Sequence, residues 1–219
     1  MDGFSELIER ANAFHAELAA NNNRDWFEPR KDFYKGEIKA PAELLGDVMA
    51  EELGRLTGKS FRFKLFRINR DVRFSKDKSP YNAHLHLAWV QEGAAAPDWF
   101  FGASPSYLNV LTGVHGLTTA ELGALRSAID ADGDGISAAL AFAGTNVGAT
   151  LSDFGAKPLK RIPKPFDQDH PQGALLKRKS LVVSAALEAS WKENGLVPAL
   201  RKTAAGLMPV WTWLDTARD

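Results

Sequence analysis

At residue 61 the spacing of apolar side chains changes, and that change limits the folds open to this chain. Before it, Phe4, Leu7, Ile8, Ala11, Phe14, His15 and Leu18 recur at intervals of three and four, the mark of a helix with one buried face. After it, Phe61, Phe63 and Leu65 alternate with Arg62, Lys64 and Phe66, the period of a half-buried strand. A second strand is expected at about Asn82–Gln91, with Ala83, Leu85, Leu87 and Trp89 on one face and His84, His86, Ala88 and Val90 on the other. A turn at Gly93–Pro97 separates it from further strand candidates at Trp99–Gly102 and Tyr107–Leu111. Short sequential strands joined by tight turns favour antiparallel pairing.

Helical spacing flanks this block on both sides. Asn21, Asn22 and Asn23 end the first helix, since asparagine tolerates the left-handed conformation past a helix C-terminus. Asp25, with Glu28 three residues on, reads as the N-cap of a second helix. Trp26, Phe33, Tyr34 and Ile38 supply its apolar side. Pro41 should kink or interrupt it before Leu45, Met49, Leu53 and Leu56 continue the pattern. Later helices are expected at Thr118–Ala131, where Thr118 and Glu121 form a capping box, and at Ile136–Ala143. Lys157–Pro171 reads as an ordered basic loop and Ser180–Ser184 as one more strand. Leu196–Leu214 reads as a tail helix with Pro209, Trp211 and Trp213. The expected fold class is α+β: a central, mainly antiparallel sheet flanked by N-terminal and C-terminal helices, as a single domain over residues 1–219.

The chain has no cysteine, which removes disulfides, thiolate nucleophiles and cysteine-ligated metals. No apolar run reaches the ~20 residues that span a bilayer, and the segment from Met1 to Glu6 lacks the features of a signal peptide. A cytoplasmic protein without a membrane partner is expected. Net charge is zero, which argues against nucleic acid as a partner. The charge is nevertheless unevenly spread. Residues 1–56 carry 12 acidic and 7 basic side chains; residues 61–81 carry 7 basic and 2 acidic, as do residues 157–179. Residues 82–156 carry 7 acidic and 1 basic.

Several motifs fall short of their chemistry. Asp130, Asp132, Asp134 and Gly135 open like an EF-hand loop, but Ala141 stands where the bidentate glutamate is needed. An Asp/Gly turn between helices accounts for them better. His84 and His86 share a strand face and form a weak metal pair, for which His115, His170 or Asp169 would have to supply a third ligand. No phosphate loop, dinucleotide fingerprint or nucleophile elbow is present, and no cofactor is expected. The segment Arg67–Tyr81 remains, a loop held at both ends by strands. Arg67, Arg70, Arg73, Lys76 and Lys78 can converge there on a carboxylate or phosphate. Asp71 could orient them or act as an acid–base group, and Tyr81 offers a hydroxyl. The plainer alternative pairs these arginines with the acidic helical layer.

Three blocks, Asn22–Phe27, Phe66–Tyr81 and Pro165–Pro171 followed by Leu176–Ser180, resemble the bacterial and fungal family called domain of unknown function 2461. The resemblance runs in order along nearly the whole chain. It implies one full-length domain and carries no activity. Members usually have a glycine-rich run and a tryptophan after the third strand, where this chain reads Tyr107–Gly116. The resemblance also ties the two basic segments together, so Lys177 and Lys179 are expected to meet Arg67, Arg70 and Arg73 at one sheet edge. His170, between Asp169 and Pro171, is the candidate acid or base nearby. The leading expectation is a basic pocket for a small anionic, possibly phosphorylated, ligand. The alternatives are a non-enzymatic protein-interaction module with structural arginines, and an RNA-binding domain using Phe74, Tyr81 and Phe166.

Overall fold

The computed structural model describes residues 3–91, 96–155 and 157–217. Helix α1 (Phe4–Ala20) is followed by a chain of short helical turns: α2 (Arg24–Phe27), a 3₁₀ turn (Glu28–Arg30), α3 (Lys31–Phe33), a π-helical turn (Tyr34–Lys39) and α4 (Ala40–Thr57). Four strands follow: β1 (Arg62–Leu65), β2 (Leu85–Val90), β3 (Asp98–Ser104) and β4 (Tyr107–Val114). Then come α5 (Thr119–Ala131), α6 (Gly133–Val147), β5 (Thr150–Leu151), α7 (Gly173–Leu176), β6 (Leu181–Ala186), α8 (Trp191–Asn194) and α9 (Leu196–Thr216). Among the described residues the strands form one six-stranded antiparallel sheet in the order β1-β2-β3-β4-β6-β5. β5 pairs with β6 through Thr150–Ser184 and Leu151–Val183. The α+β class read from the sequence is the observed one. No helix of the described residues is long and apolar enough to cross a membrane.

By contact density the chain divides into two compact units, each described by itself. The first comprises Met1–Trp89, Phe100–Val110 and Leu187–Lys202. Its core is the face of α1 expected from spacing, with Leu7, Ile8, Ala11, Phe14 and Leu18 buried. Phe14 is ringed by Trp26, Phe27, Phe33 and Tyr34, with ring centroids 5.4–6.3 Å away. Burying each of Leu7, Ile8, Phe14 and Leu18 stabilises the fold by about 1.5–3 kcal/mol relative to exposure. Helix α4 buries Leu45, Met49 and Leu53 and approaches β1 through Gly46. A Cβ there would lie 2.6 Å from Cγ of Phe63, so only glycine allows this contact. The carbonyl of Gly46 also accepts the Trp89 indole N–H at 2.8 Å.

The asparagine run divides its labour differently from the expectation. Asn21 closes α1 with φ −135°, outside the left-handed region. Asn23, not Asp25, caps α2, because its side chain reaches the Trp26 N–H at 2.9 Å. The break expected at Pro41 occurs one turn earlier, in the π-helical turn. Pro41 itself sits in the first turn of α4, directly after that turn, and can donate no N–H back to it.

The second unit comprises Val90–Trp99, Leu111–Ala186 and Thr203–Asp219. Thr118 and Glu121 form the expected capping box on α5. Trp211 is buried and stacks on Trp99 with centroids 6.4 Å apart, and its indole donates to the Pro97 carbonyl at 3.1 Å. Gly113 has φ 151° and brings β4 against β6; a Cβ there would lie 2.6 Å from the Cα of Val182. Residues 93–95 of the expected turn at Gly93–Pro97 lie outside the described residues.

Candidate functional site

The loop Arg67–Tyr81 is closed at its neck like a hairpin. Asn69 and Tyr81 bridge, Arg70 donates its N–H to the Pro80 carbonyl at 2.9 Å, and Asn82 donates to Ile68 at 2.7 Å. Tyr81 is buried and stacks on Phe27 with centroids 4.2 Å apart. Within the loop the cations face its own acceptors. The Arg70 guanidinium reaches Asp77 at 2.5 Å and the Ser79 carbonyl at 3.2 Å. Asp77 also accepts the Ser79 hydroxyl at 2.7 Å, and these contacts, Ser79 before Arg70, hold its carboxyl far below the usual range. Arg73 and Asp71 form an exposed fork at 2.7 and 3.0 Å. That contact with Arg73 lowers the Asp71 carboxyl. Lys78 donates to the Val72 carbonyl at 3.0 Å.

Arg67 differs. Its guanidinium makes no hydrogen bond among the described residues, although Asp71 feels its charge. It lines a cleft of about 410 Å³ within the first unit. One wall is Leu65–Asn69, continuing from the edge strand β1; the other carries Lys31, Lys35 and Lys39 above Phe27 and Tyr34. The lysines have carboxylate neighbours, Glu28 at 3.2 Å, Asp32 at 3.8 Å and Glu43 at 3.3 Å, but all are exposed pairs. Such pairs are worth ~0–1 kcal/mol and exchange readily for a better anion. Of these acids only Glu43 lines the cleft, against four cations. The lysines recur every fourth residue, a single helix face, but the acidic excess of residues 1–56 conceals them in any charge count.

His84 and His86 lie 3.8 Å apart as stacked rings, inclined by 21°. Imidazole lone pairs lie in the ring plane, so stacked rings point them side by side rather than at one ion. Among the described residues no three histidines or carboxylates gather in an arrangement that could hold a metal. Instead the His86 Nε2 meets the Tyr107 hydroxyl at 2.6 Å. Gly102 makes the room, since a Cβ there would lie 3.1–3.2 Å from both side chains. The face is half-buried rather than solvated. His15 joins the group: it is 1% exposed, its Nδ1 has no hydrogen-bond partner, and His84 acts on its charge. Burial, then the neighbouring imidazoles, pushes His15 and His86 each down to about 4.

In the second unit His170 is held through both ring nitrogens. Its Nδ1 accepts the Gln172 N–H at 2.9 Å, which places the proton on Nε2, 3.0 Å from Asp130. Asp132 caps α6 through the Gly135 N–H at 3.1 Å and accepts the Trp213 indole at 2.8 Å. The aspartate run is therefore used in capping and latching. Lys177 and Lys179 precede β6 in this unit. Arg67, Arg70 and Arg73 follow β1 in the first unit.

Fold and cleft together define an α+β protein with a lysine- and arginine-lined cleft beside an edge strand. Residues 10–213 match the family described as Conserved hypothetical protein (DUF2461), and the chain belongs to that family. No curated protein matches the chain.

Proposed function

We propose that the first unit binds a small anionic ligand in the cleft lined by Lys31, Lys35, Lys39 and Arg67. The observation that carries this reading is the Arg67 guanidinium, which has no hydrogen-bonded partner among the described residues and shares the cleft with three lysines. A volume of about 410 Å³ suits a metabolite-sized molecule. Phe27, Tyr34 and Leu65 give the cleft an apolar floor, so the best ligand carries a phosphate or carboxylate on an apolar body. Arg70, Arg73 and Lys78 then shape the loop that presents Arg67. Lys177 and Lys179 belong to the second unit and are not among the residues that line this cleft. The absence of cysteine fits a reducing, cytoplasmic setting.

The test is a thermal-shift screen of the full chain against phosphorylated metabolites, with Arg67→Ala, Lys35→Ala and Arg73→Ala. Ligands that raise the melting temperature of wild type and Arg73→Ala, but not of the two cleft variants, support the reading. Equal shifts in all four proteins would sink it.

One observation favours a second reading. Phe74, at the outer part of the basic loop, is 97% exposed, with the Arg73 guanidinium 6.0 Å from its ring. A protein-interaction module would bury that ring against an acidic partner. Phe74→Ala would then abolish capture of the partner without changing any ligand-induced shift. RNA binding would appear as affinity with a steep salt slope.

A further inference from the structure

Five consecutive residues, Leu65 to Asn69, line the cleft of the first unit. Successive side chains of an extended chain point to opposite faces, so a cleft lying on one face would meet every second residue. An unbroken run means that this cleft follows the edge of the strand, where backbone as well as side chains can be reached. β1 closes one end of the strand order, with β2 as its neighbour. Phe66, Arg67 and Asn69 are exposed.

The hydrogen bonds of this stretch agree. Arg70 with Pro80, and Ile68 with Asn82, are bonded on either side of the Asn69–Tyr81 pair. In an antiparallel ladder such a pair turns its own N–H and carbonyl groups outward. On the Tyr81 side both outward groups are taken by the Asn22 side chain. On the Asn69 side they face the cleft that Asn69 lines. Elsewhere the stretch is occupied: the Phe66 N–H turns inward to the His86 carbonyl at 3.0 Å, and the Arg67 carbonyl accepts the Asn82 side chain at 3.0 Å.

The opposite wall is a row rather than a patch. Lys31, Lys35 and Lys39 stand four residues apart, about 6 Å per step at the helical rise of ~1.5 Å per residue. Side chains on one face of an extended peptide repeat every second residue, about 6.7 Å. The two repeats agree closely enough for flexible lysine stems to take up the difference.

We propose that the cleft docks an extended acidic segment of a partner protein, which adds to the open edge of β1 as a further strand. Acidic residues at every second position face the lysine row and Arg67. The residues between them turn toward Phe66, on the opposite face, and are apolar. This is strand addition, in which main-chain hydrogen bonds supply affinity and alternate side chains supply specificity. It rests on the reading of the cleft as an anion site and names the carrier of the charge. Charge complementarity selects this occupant over a second copy of the chain. Arg62 and Lys64 are exposed on β1, and two such edges brought together would set cation against cation.

Isothermal titration of the full chain tests this with blocked pentapeptides. One has glutamate at the first, third and fifth positions with valine between; its isomer has three glutamates together and then two valines. The alternating peptide should bind at least about tenfold tighter than the isomer. Lys35→Glu should remove that preference, with folding checked by far-ultraviolet circular dichroism. In the wild type, hydrogen exchange at the Asn69 amide should slow when the alternating peptide is bound, while that at Arg70, already bonded to Pro80, should stay as it was. Methylating the peptide nitrogens at the glutamates or at the valines should abolish binding in one series and spare it in the other, because alternate residues face β1. Equal binding of the isomer, unchanged exchange at Asn69, or tolerance of both methylated series would each overturn the proposal. So would self-association that protects the Asn69 amide without peptide, which assigns the edge to a second copy. Phosphorylated metabolites that act through Arg67 and Lys35, with no preference for the alternating peptide, would keep the anion site and remove the docked strand; if neither class binds, both fall.

Discussion

The side chain of Asn22 pairs with the backbone of Tyr81 in both directions: its Nδ2 donates to the Tyr81 carbonyl at 2.9 Å, and its Oδ1 accepts the Tyr81 N–H at 3.0 Å. An amide side chain here does what a neighbouring strand would do, fixing the exit of the basic loop to the end of α1. Asn22→Ala removes both bonds and leaves two part-buried backbone groups unpaired, a loss of about 2 kcal/mol. Asn22→Asp keeps the acceptor but sets a carboxylate against the Tyr81 carbonyl, and should cost as much. Urea denaturation midpoints check both.

Two arginines a few residues apart should behave differently. The Arg70 side chain is 24% exposed and reaches Asp77 and the Ser79 carbonyl, so Arg70→Ala should cost about 1–3 kcal/mol. Arg73 is 78% exposed, and its fork with Asp71 stands in solvent. Arg73→Ala should leave the denaturation midpoint where it is. If Arg73 proved the more costly, the reading of the loop as self-supported through Arg70 would be wrong.

Stability should fall as the pH drops from about 6.5 toward about 4. The folded pKa values of His15 and His86, about 4, lie below the unfolded 6.5, so in that window the unfolded chain takes up protons that the folded chain refuses. Asp98 acts in the opposite sense. Its folded value of about 6 exceeds the unfolded 3.8, so its cost is fully present above pH 6 and is relieved between 6 and 3.8. His86→Gln should therefore flatten the acid limb of a midpoint-against-pH curve. Asp98→Asn should raise stability at neutral pH and make that limb steeper.

Gly113→Ala should be among the most damaging single changes in the second unit. The added methyl would meet the Val182 backbone, which cannot swing aside as a side chain can, and φ 151° suits no residue with a Cβ. A loss of at least about 2 kcal/mol is expected, measured by thermal or urea unfolding.

Much of the fold was legible where a local rule sufficed. The buried stripe of α1, the alternation into β1 and β2, and the Thr118–Glu121 capping box each depend on spacing alone. The two-residue strand β5 was not, because Thr150 and Leu151 are exposed and become a strand only by pairing with β6. The cleft was half legible. Arg67 was named from its place in a basic run, but Lys31, Lys35 and Lys39 were hidden among acids. Charge counts sum along the chain, whereas a cleft gathers residues from separate elements.

The π-helical turn Tyr34–Lys39 has a consequence for how this chain can change. In it the Ala40 N–H reaches back to the Lys35 carbonyl, five residues rather than four. It therefore holds one residue more than an ordinary turn, and it sets the phase of α4 relative to α3. Removing one residue there, Gly36 for instance, would leave an ordinary α-turn over the same full rotation, so α4 would keep its phase and Leu45, Met49 and Leu53 their place in the core. A residue removed from within α4 instead would turn everything beyond it by roughly 100° about the helix axis and carry the apolar face out of the core. Changes of length are therefore unequal along this stretch: the π-helical turn can absorb the loss of a residue, and the regular helix after it cannot.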